Sequence, residues 1–207
     1  MRIAMLIGSL REGGAEGQLV LLARELRARG HDVTILLLHE EGVRLAGVRA
    51  EGFEVFPVRL PRFRPRWSPA PWWQLLAARR RTMRYLEDWK PDILHAWLFW
   101  AHLWGRLCLG SVPLITSRLE TPAYEGLGGR LRLSAERWIN RSAAGVWANS
   151  TGAAKAAVAM EGNLPKRRVV LRNGIKLDAI HSAPPIDLRR EFPALADAGP
   201  IAIIVAS

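Results

Sequence analysis

With a single cysteine, Cys108, among 207 residues, the chain can form no internal disulfide. A sequence so poor in cysteine fits a reducing compartment, and a cytoplasmic location is the expectation. No apolar run approaches the roughly 18 residues needed to span a bilayer. The opening "MRIAMLIGSLREGG" has a short apolar stretch with no small-residue cleavage site behind it. It reads as a first strand rather than a secretion signal. Lysine is scarce as well: all but four of the 30 basic residues are arginines. Neither His31 nor His39 has a partner at ligand spacing, so no metal is expected.

What is present is an apolar fraction of 49%, enough for one substantial core, and a net charge of +11. Such a field favours an anionic partner: phosphate, nucleic acid or acidic head groups. Solvated arginines spread over the surface are the plainer alternative. The charge is unevenly placed, however. Residues 59–86 carry eight arginines and no acidic side chain.

Apolar, β-branched runs alternate with helical segments. Strands are expected at 2–8, 32–38, 53–58, 92–97, 113–117, 145–150 and 168–172. Their nearly continuous apolar character suits strands covered on both faces. Between the first two, Leu19, Leu22, Ala23 and Leu26 recur at helical spacing, and Gly30 stands where a C′ residue belongs. Strand–helix–strand repetition predicts an α/β fold, a doubly wound parallel sheet of about seven strands flanked by helices.

The stretch "IGSLREGGAEGQ" joins the first strand to the first helix. It is no dinucleotide fingerprint, because Glu12 stands two positions before Gly14 where the first glycine of G-x-G-x-x-G belongs. It is no triphosphate loop either. Gly8 and Gly13 have the spacing, but Gly14 and Ala15 replace the lysine and hydroxyl. A tight turn explains the glycines, and so does a loop whose N–H groups approach an anion at the helix start. Glu16 falls in the first helical turn, where it supports the dipole or reaches a polyol.

Together, "GGAE", "LARELRARGHDVTIL", "KPDILHAW", "VPLITSR", "VWANSTGAAKAAV" and "RVVLRNGIKLD" resemble the N-terminal half of a family 4 glycosyltransferase of GT-B fold, over roughly residues 1–180. The resemblance implies two Rossmann-like domains facing across a cleft, the N-terminal one recognising the acceptor and the C-terminal one holding a nucleotide-sugar donor. It further implies retention at the anomeric carbon, no obligatory metal and no cofactor beyond the donor substrate. Gly13, Gly14 and Ala15 would then lie beside the donor diphosphate and the acceptor, with Glu16 contacting the acceptor. Many relatives carry a histidine after the fifth strand, and Arg118 stands there instead. It is the expected stabiliser of developing phosphate charge, although it cannot be a base. The expected organisation is a domain over 1–175, a linker over 176–200, and at 201–207 the first strand of a missing C-terminal donor-binding domain. Such a fragment would be inactive alone.

His95, at the end of the fourth strand, reads equally as a ligand contact or a buried histidine. His102 reads as packing or surface. Ser150 has no G-x-S-x-G elbow around it, so Asn149 and Ser150 read as a strand-end cap facing the cleft. Asn173 and Gly174 read as a positive-φ turn at the cleft mouth. In the Arg/Trp segment, Arg62, Arg64, Trp67, Trp72 and Trp73 suit an anionic membrane surface; packing on the sheet and single-stranded nucleic acid are the alternatives. The expected function is transfer of a sugar to a glycan or lipid-linked acceptor at the cytoplasmic membrane face, without nucleic acid. The rivals are a nucleotide-sugar epimerase or hydrolase of the same fold, and a basic nucleic-acid-binding domain.

Overall fold

The computed structural model describes residues 1–61, 72–119, 124–162 and 164–175, together with 177, 181–182, 184, 186–195 and 199. The chain divides into two units, Met1–Asn173 and Gly174–Ser207. In the first, β1 (Arg2–Ile7), β2 (Asp32–Leu37), β3 (Glu54–Pro57), β4 (Ile93–Ala96), β5 (Leu114–Arg118), β6 (Gly145–Ala148) and β7 (Arg168–Val170) form one sheet. Their order is β3-β2-β1-β4-β5-β6-β7 and every pairing is parallel. All seven strands fall where the apolar runs place them.

The helices are α1 (Gly14–Ala28), α2 (Leu45–Ala50), α3 (Trp72–Trp89), α4 (Phe99–Cys108), α5 (Gly126–Asn140) and α6 (Thr151–Glu161). Two cores explain the unbroken apolar strands. Ile3, Met5 and Ile7 of β1 join α1 and α2 on one face, while Ala4 and Leu6 join α3, α4 and α5 on the other. A strand buried on both sides has no solvent face to alternate with. Helix α1 ends as the sequence suggests: Gly30 at φ 81 lets the His31 N–H donate to the Leu26 carbonyl at 3.1 Å. Cys108 lies in the second core, where burial pushes its thiol up to about 12.

In the second unit, a short helix α7 (Leu188–Glu191) starts at Asp187, whose Oδ1 accepts from the N–H groups of Arg189 and Arg190. A 3-10 turn follows at Pro193–Leu195. Residues 201–207, expected as a further strand, lie outside the described residues.

The strand order reverses between β1 and β4, so the crevice beyond their carboxyl ends is where such sheets take ligands. The loop after β1 borders that crevice, and it is fastened rather than free. The Leu10 N–H donates to the Glu41 carbonyl at 2.9 Å, and the Arg44 N–H to the Leu10 carbonyl at 3.1 Å. The Leu10 side chain is fully buried, and Arg11 pairs with Glu41 at 2.7 Å. This junction needs Gly42, whose φ is 126 and whose α-carbon faces the Leu10 carbonyl so closely that a Cβ would collide with it.

Gly42→Ala is therefore expected to cost about 2–4 kcal/mol, from the left-handed backbone and the overlap together. Urea denaturation checks this; an unchanged midpoint would mean the loop shifts freely.

Candidate functional site

The sequence places α1 directly after the Ser9–Gly13 loop, so its N-terminus opens at the reversal point of the sheet. Gly13 is the N-cap in extended backbone, at φ -165 and ψ 160, which any residue adopts. Its value is room: the Glu16 carboxylate folds back over it, into the space a Cβ would fill. Gly14 begins the helix with nothing facing it within 4 Å. An unobstructed helix start, with unpaired N–H groups and a partial positive charge, suits an oxyanion or a polyol. Gly13, Gly14, Ala15 and Glu16 are thus brought together on one helical turn.

Arg118 departs from expectation. It closes β5 but is buried, and its donors are engaged. Nε donates to Glu161 Oε1 at 2.9 Å; Nη2 donates to Glu161 Oε2 at 2.7 Å, Glu136 Oε2 at 3.1 Å and Asn140 Oδ1 at 3.1 Å. Nη1 donates to the Ser117 carbonyl at 3.3 Å. Burial alone would weaken the guanidinium's charge, but the Glu161 hydrogen bonds and both carboxylates outweigh it and raise its pKa. The charge-stabilising role expected of Arg118 is corrected: the side chain is committed to a buried ionic network that ties α5 and α6 to the end of β5.

The sequence reading missed the rest of that network. Glu136 lies on the buried side of α5 with Ile139, and Glu161 continues the buried Ala153–Ala157 stripe of α6. A carboxylate on an apolar helical stripe was the available signal. Tyr124 donates to Glu161 Oε1 at 3.1 Å, and burial first, then the nearby carboxylates, raise its pKa. His102 is buried too, and it accepts the Ser117 N–H at Nε2, 3.3 Å away. That bond needs a lone pair, so the proton sits on Nδ1, 3.4 Å from Glu136 Oε1, and the imidazole is neutral. Burial lowers its pKa in the same sense.

His95 is not at the end of its strand but within β4. Its ring lies 5.0 Å from that of Trp97 and 5.4 Å from that of Trp147, and Nε2 has no hydrogen-bond partner. Desolvation, and the neighbouring His102 to a smaller degree, lower its pKa to about 3. It is a buried neutral ring rather than a group presented at the sheet edge. Next along, Leu98 is held at φ 68, an unusual backbone for a branched side chain, at the carboxyl edge beside the reversal point.

Asn149 and Ser150 act as local fasteners. Asn149 Nδ2 donates to the Leu119 carbonyl at 3.0 Å, bridging β5 and β6, and Ser150 Oγ caps α6 by accepting from Ala153 N at 3.1 Å. Asn173 and Gly174 stand on either side of the division between the two units, both exposed. Trp72 and Trp73 are exposed, so the alternative in which they pack on the sheet is overturned. Arg62, Arg64 and Trp67 lie outside the described residues. Among the described residues, no cluster of three or more His, Cys, Asp or Glu is arranged to hold a metal ion.

Comparison with known proteins gives a consistent picture. The family model of Glycosyltransferase Family 4 matches residues 12–179. No curated protein matches the chain. Anabaena HepE, solved in complex with UDP, is similar over 95% of this chain and 50% of its own, at TM-score 0.70 and 20% identity. Sucrose-phosphate synthase from Thermosynechococcus elongatus is similar over 95% and 53%, at TM-score 0.65 and 14% identity. UDP-GlcNAc 2-epimerase from Methanocaldococcus jannaschii is similar over 82% and 45%, at TM-score 0.58 and 12% identity. The chain spans about half the length of these structures, and at such identities the likeness shows the fold.

Two outcomes follow. Arg118→Met leaves two buried carboxylates facing each other and should cost about 3–5 kcal/mol, with the added changes Glu136→Gln and Glu161→Gln restoring part of it. Thermal melts compare the three. For His95, the folded value near 3 lies below the ordinary 6.5, so the folded state binds fewer protons between them. Its stabilising contribution is complete above pH 6.5 and falls by about 1.4 kcal/mol per unit as pH drops toward 3. Between pH 7 and 5, urea titrations of His95→Phe should lose about 2 kcal/mol less than wild type. Equal losses would show that His95 is charged in the folded state.

Proposed function

As the chain belongs to Glycosyltransferase Family 4, we propose that it is the acceptor-side domain of an enzyme transferring a sugar from a nucleotide-sugar donor, with retention, to a glycan or lipid-linked acceptor. The observation that carries this reading is the unobstructed start of α1 at the reversal point of the sheet, where nothing faces Gly14 within 4 Å. Backbone N–H groups there offer a fixed dipole to a developing diphosphate charge. The Glu16 carboxylate lies folded over Gly13, and in this reading it swings outward to accept a hydrogen bond from an acceptor hydroxyl.

In this reading the leaving diphosphate removes the acceptor proton, and this domain contributes position and desolvation. Arg118, Asn140, Glu136 and Glu161 hold the β5 end and α6 in place from behind, and Ser150 and Asn149 fix the edge of β6. These are positioning residues. In this reading a second Rossmann-like domain holds the donor, no metal takes part, and the enzyme works at the cytoplasmic membrane face. Arg62, Arg64, Trp67, Trp72 and Trp73 are proposed to meet the membrane there; Trp72 and Trp73 are exposed as this requires.

The test uses the intact enzyme. With a nucleotide-sugar donor and a membrane-lipid extract it should release nucleoside diphosphate only when acceptor is present; rapid turnover of donor alone would favour an epimerase or hydrolase. Gly14→Ala adds a methyl where the unliganded chain has space, so stability should change by less than about 0.5 kcal/mol. Turnover should fall by about tenfold or more, because the methyl stands where the ligand approaches. Full activity in Gly14→Ala would remove α1 from the site.

A further inference from the structure

Three adjacent helices on the second-core face of the sheet turn apolar side chains outward. On α5 the core side holds Glu136, Ile139 and Asn140. On the opposite side Leu127, Leu131, Ser134 and Trp138 recur at helical steps, with Leu127 76% and Leu131 64% exposed. An amphipathic surface helix places polar residues there. Helix α4 repeats the inversion: Ala101, Trp104 and Cys108 are buried, while Trp100 is 64% exposed and Leu107 lies in the open beside it. The first turns of α3 add Trp72, Trp73 and Leu76.

These stripes are neighbours. Arg79 Nε on α3 donates to the Leu107 carbonyl on α4 at 2.8 Å, the Arg106 guanidinium lies 4.4 Å from the Trp138 ring centre, and that of Arg132 5.1 Å from the Phe99 ring centre. The helices are thus stitched into one layer by arginine. Because all the strands run parallel, the three N-termini point to the same edge of the sheet. Exposed basic residues border the layer, Arg80 and Arg84 on α3 and Arg130 on α5. The acidic residues of these helices are Glu87 and Asp88, at the far end of α3, and Glu136, which is buried; Glu125 precedes α5.

We propose that the outer face of α3, α4 and α5 docks on an anionic lipid bilayer, with its leucines and tryptophans entering the head-group region and its arginines meeting lipid phosphates. This rests on the acceptor-side reading above and moves the main contact from the Arg/Trp segment to α4 and α5. Isolated apolar side chains on a surface are ordinary, but large exposed leucines and tryptophans repeated on three adjacent helices are not. Tryptophan interleaved with arginine matches an interface that is apolar at depth and anionic at its rim. The exposed acidic groups stand at the margins, Glu87 and Asp88 at the C-terminal end of α3 and Glu125 before α5, and α4 carries none, so arginine supplies the charge complementarity over the middle of the face. Among the described residues no helix is long and apolar enough to cross a membrane, so the contact is peripheral.

Flotation of the intact protein with vesicles of phosphatidylglycerol and phosphatidylcholine tests this. Wild type should float with the anionic vesicles and bind pure phosphatidylcholine about tenfold more weakly. Leu127→Ser with Leu131→Ser should lose about tenfold in binding, and so should Trp100→Ser with Leu107→Ser. All four positions are exposed, and circular dichroism checks that the fold persists. Unchanged binding in both double variants overturns the proposal. So does equal binding to neutral vesicles, or a concentration-dependent dimer that either double variant abolishes. Transfer to a water-soluble acceptor reads the enzymatic assignment separately. Lost vesicle binding with that transfer intact supports the docking face; vesicle binding without any transfer would sink the enzymatic assignment alone.

Discussion

All seven strands run parallel, and the rest of the molecule follows from that constraint. Parallel strands need crossovers, the crossovers are helices, and the helices cover both faces of the sheet. The carboxyl ends of the strands and the N-termini of the helices that follow them therefore collect along one edge. The unpaired N–H groups of those helices point outward there, at the one place where the strand order reverses. The candidate site is a consequence of this geometry before it is a consequence of any one side chain.

The edge is stiffened by two different means. On the β1 side the fastening is neutral backbone: Leu10 is locked to the loop after β2, and Gly42 permits the approach. On the β5 side it is ionic. One guanidinium faces two carboxylates and a neutral imidazole, all buried, and each polar group answers another. A buried ion pair is poor evidence for added stability, since desolvation consumes most of the Coulombic gain. Its consequence is that α5, α6 and the end of β5 have one way to fit together. This explains how an arginine can occupy a position that invites a catalytic reading and yet present nothing to a ligand.

The arginine excess resolves into distinct uses. Some arginines satisfy carbonyls or stack on aromatic rings between helices, as Arg79, Arg106 and Arg132 do. Others stand in solvent beside exposed tryptophan and leucine. The net charge is thus neither a uniform solvated coat nor a single binding patch. Among the described residues the arginines divide between internal stitching, surface ion pairs such as Arg24–Glu51 and Arg49–Glu40, and exposed positions around the outward apolar side chains.

The seven strands, the parallel sheet and the C′ role of Gly30 were legible because they depend on periodicity and local backbone chemistry, which a linear string records. The fastening of the glycine loop was not, because Gly42 and Leu10 are remote in sequence and meet only in the fold. Glu136 and Glu161 announced themselves weakly, as carboxylates on apolar stripes, but only packing brings both to Arg118. His95 illustrates the same limit. Its strand was evident, yet its place inside β4 between two tryptophans was decided by register. The outward leucines of α5 were equally undecidable, since a helical stripe in a sequence does not say which side meets the sheet. The sequence alone therefore determined which elements form, their parallel arrangement and the glycine-led start of α1. Tertiary structure decided which charges are spent in the interior and which apolar faces remain outside, because burial and pairing are properties of residues far apart in the chain.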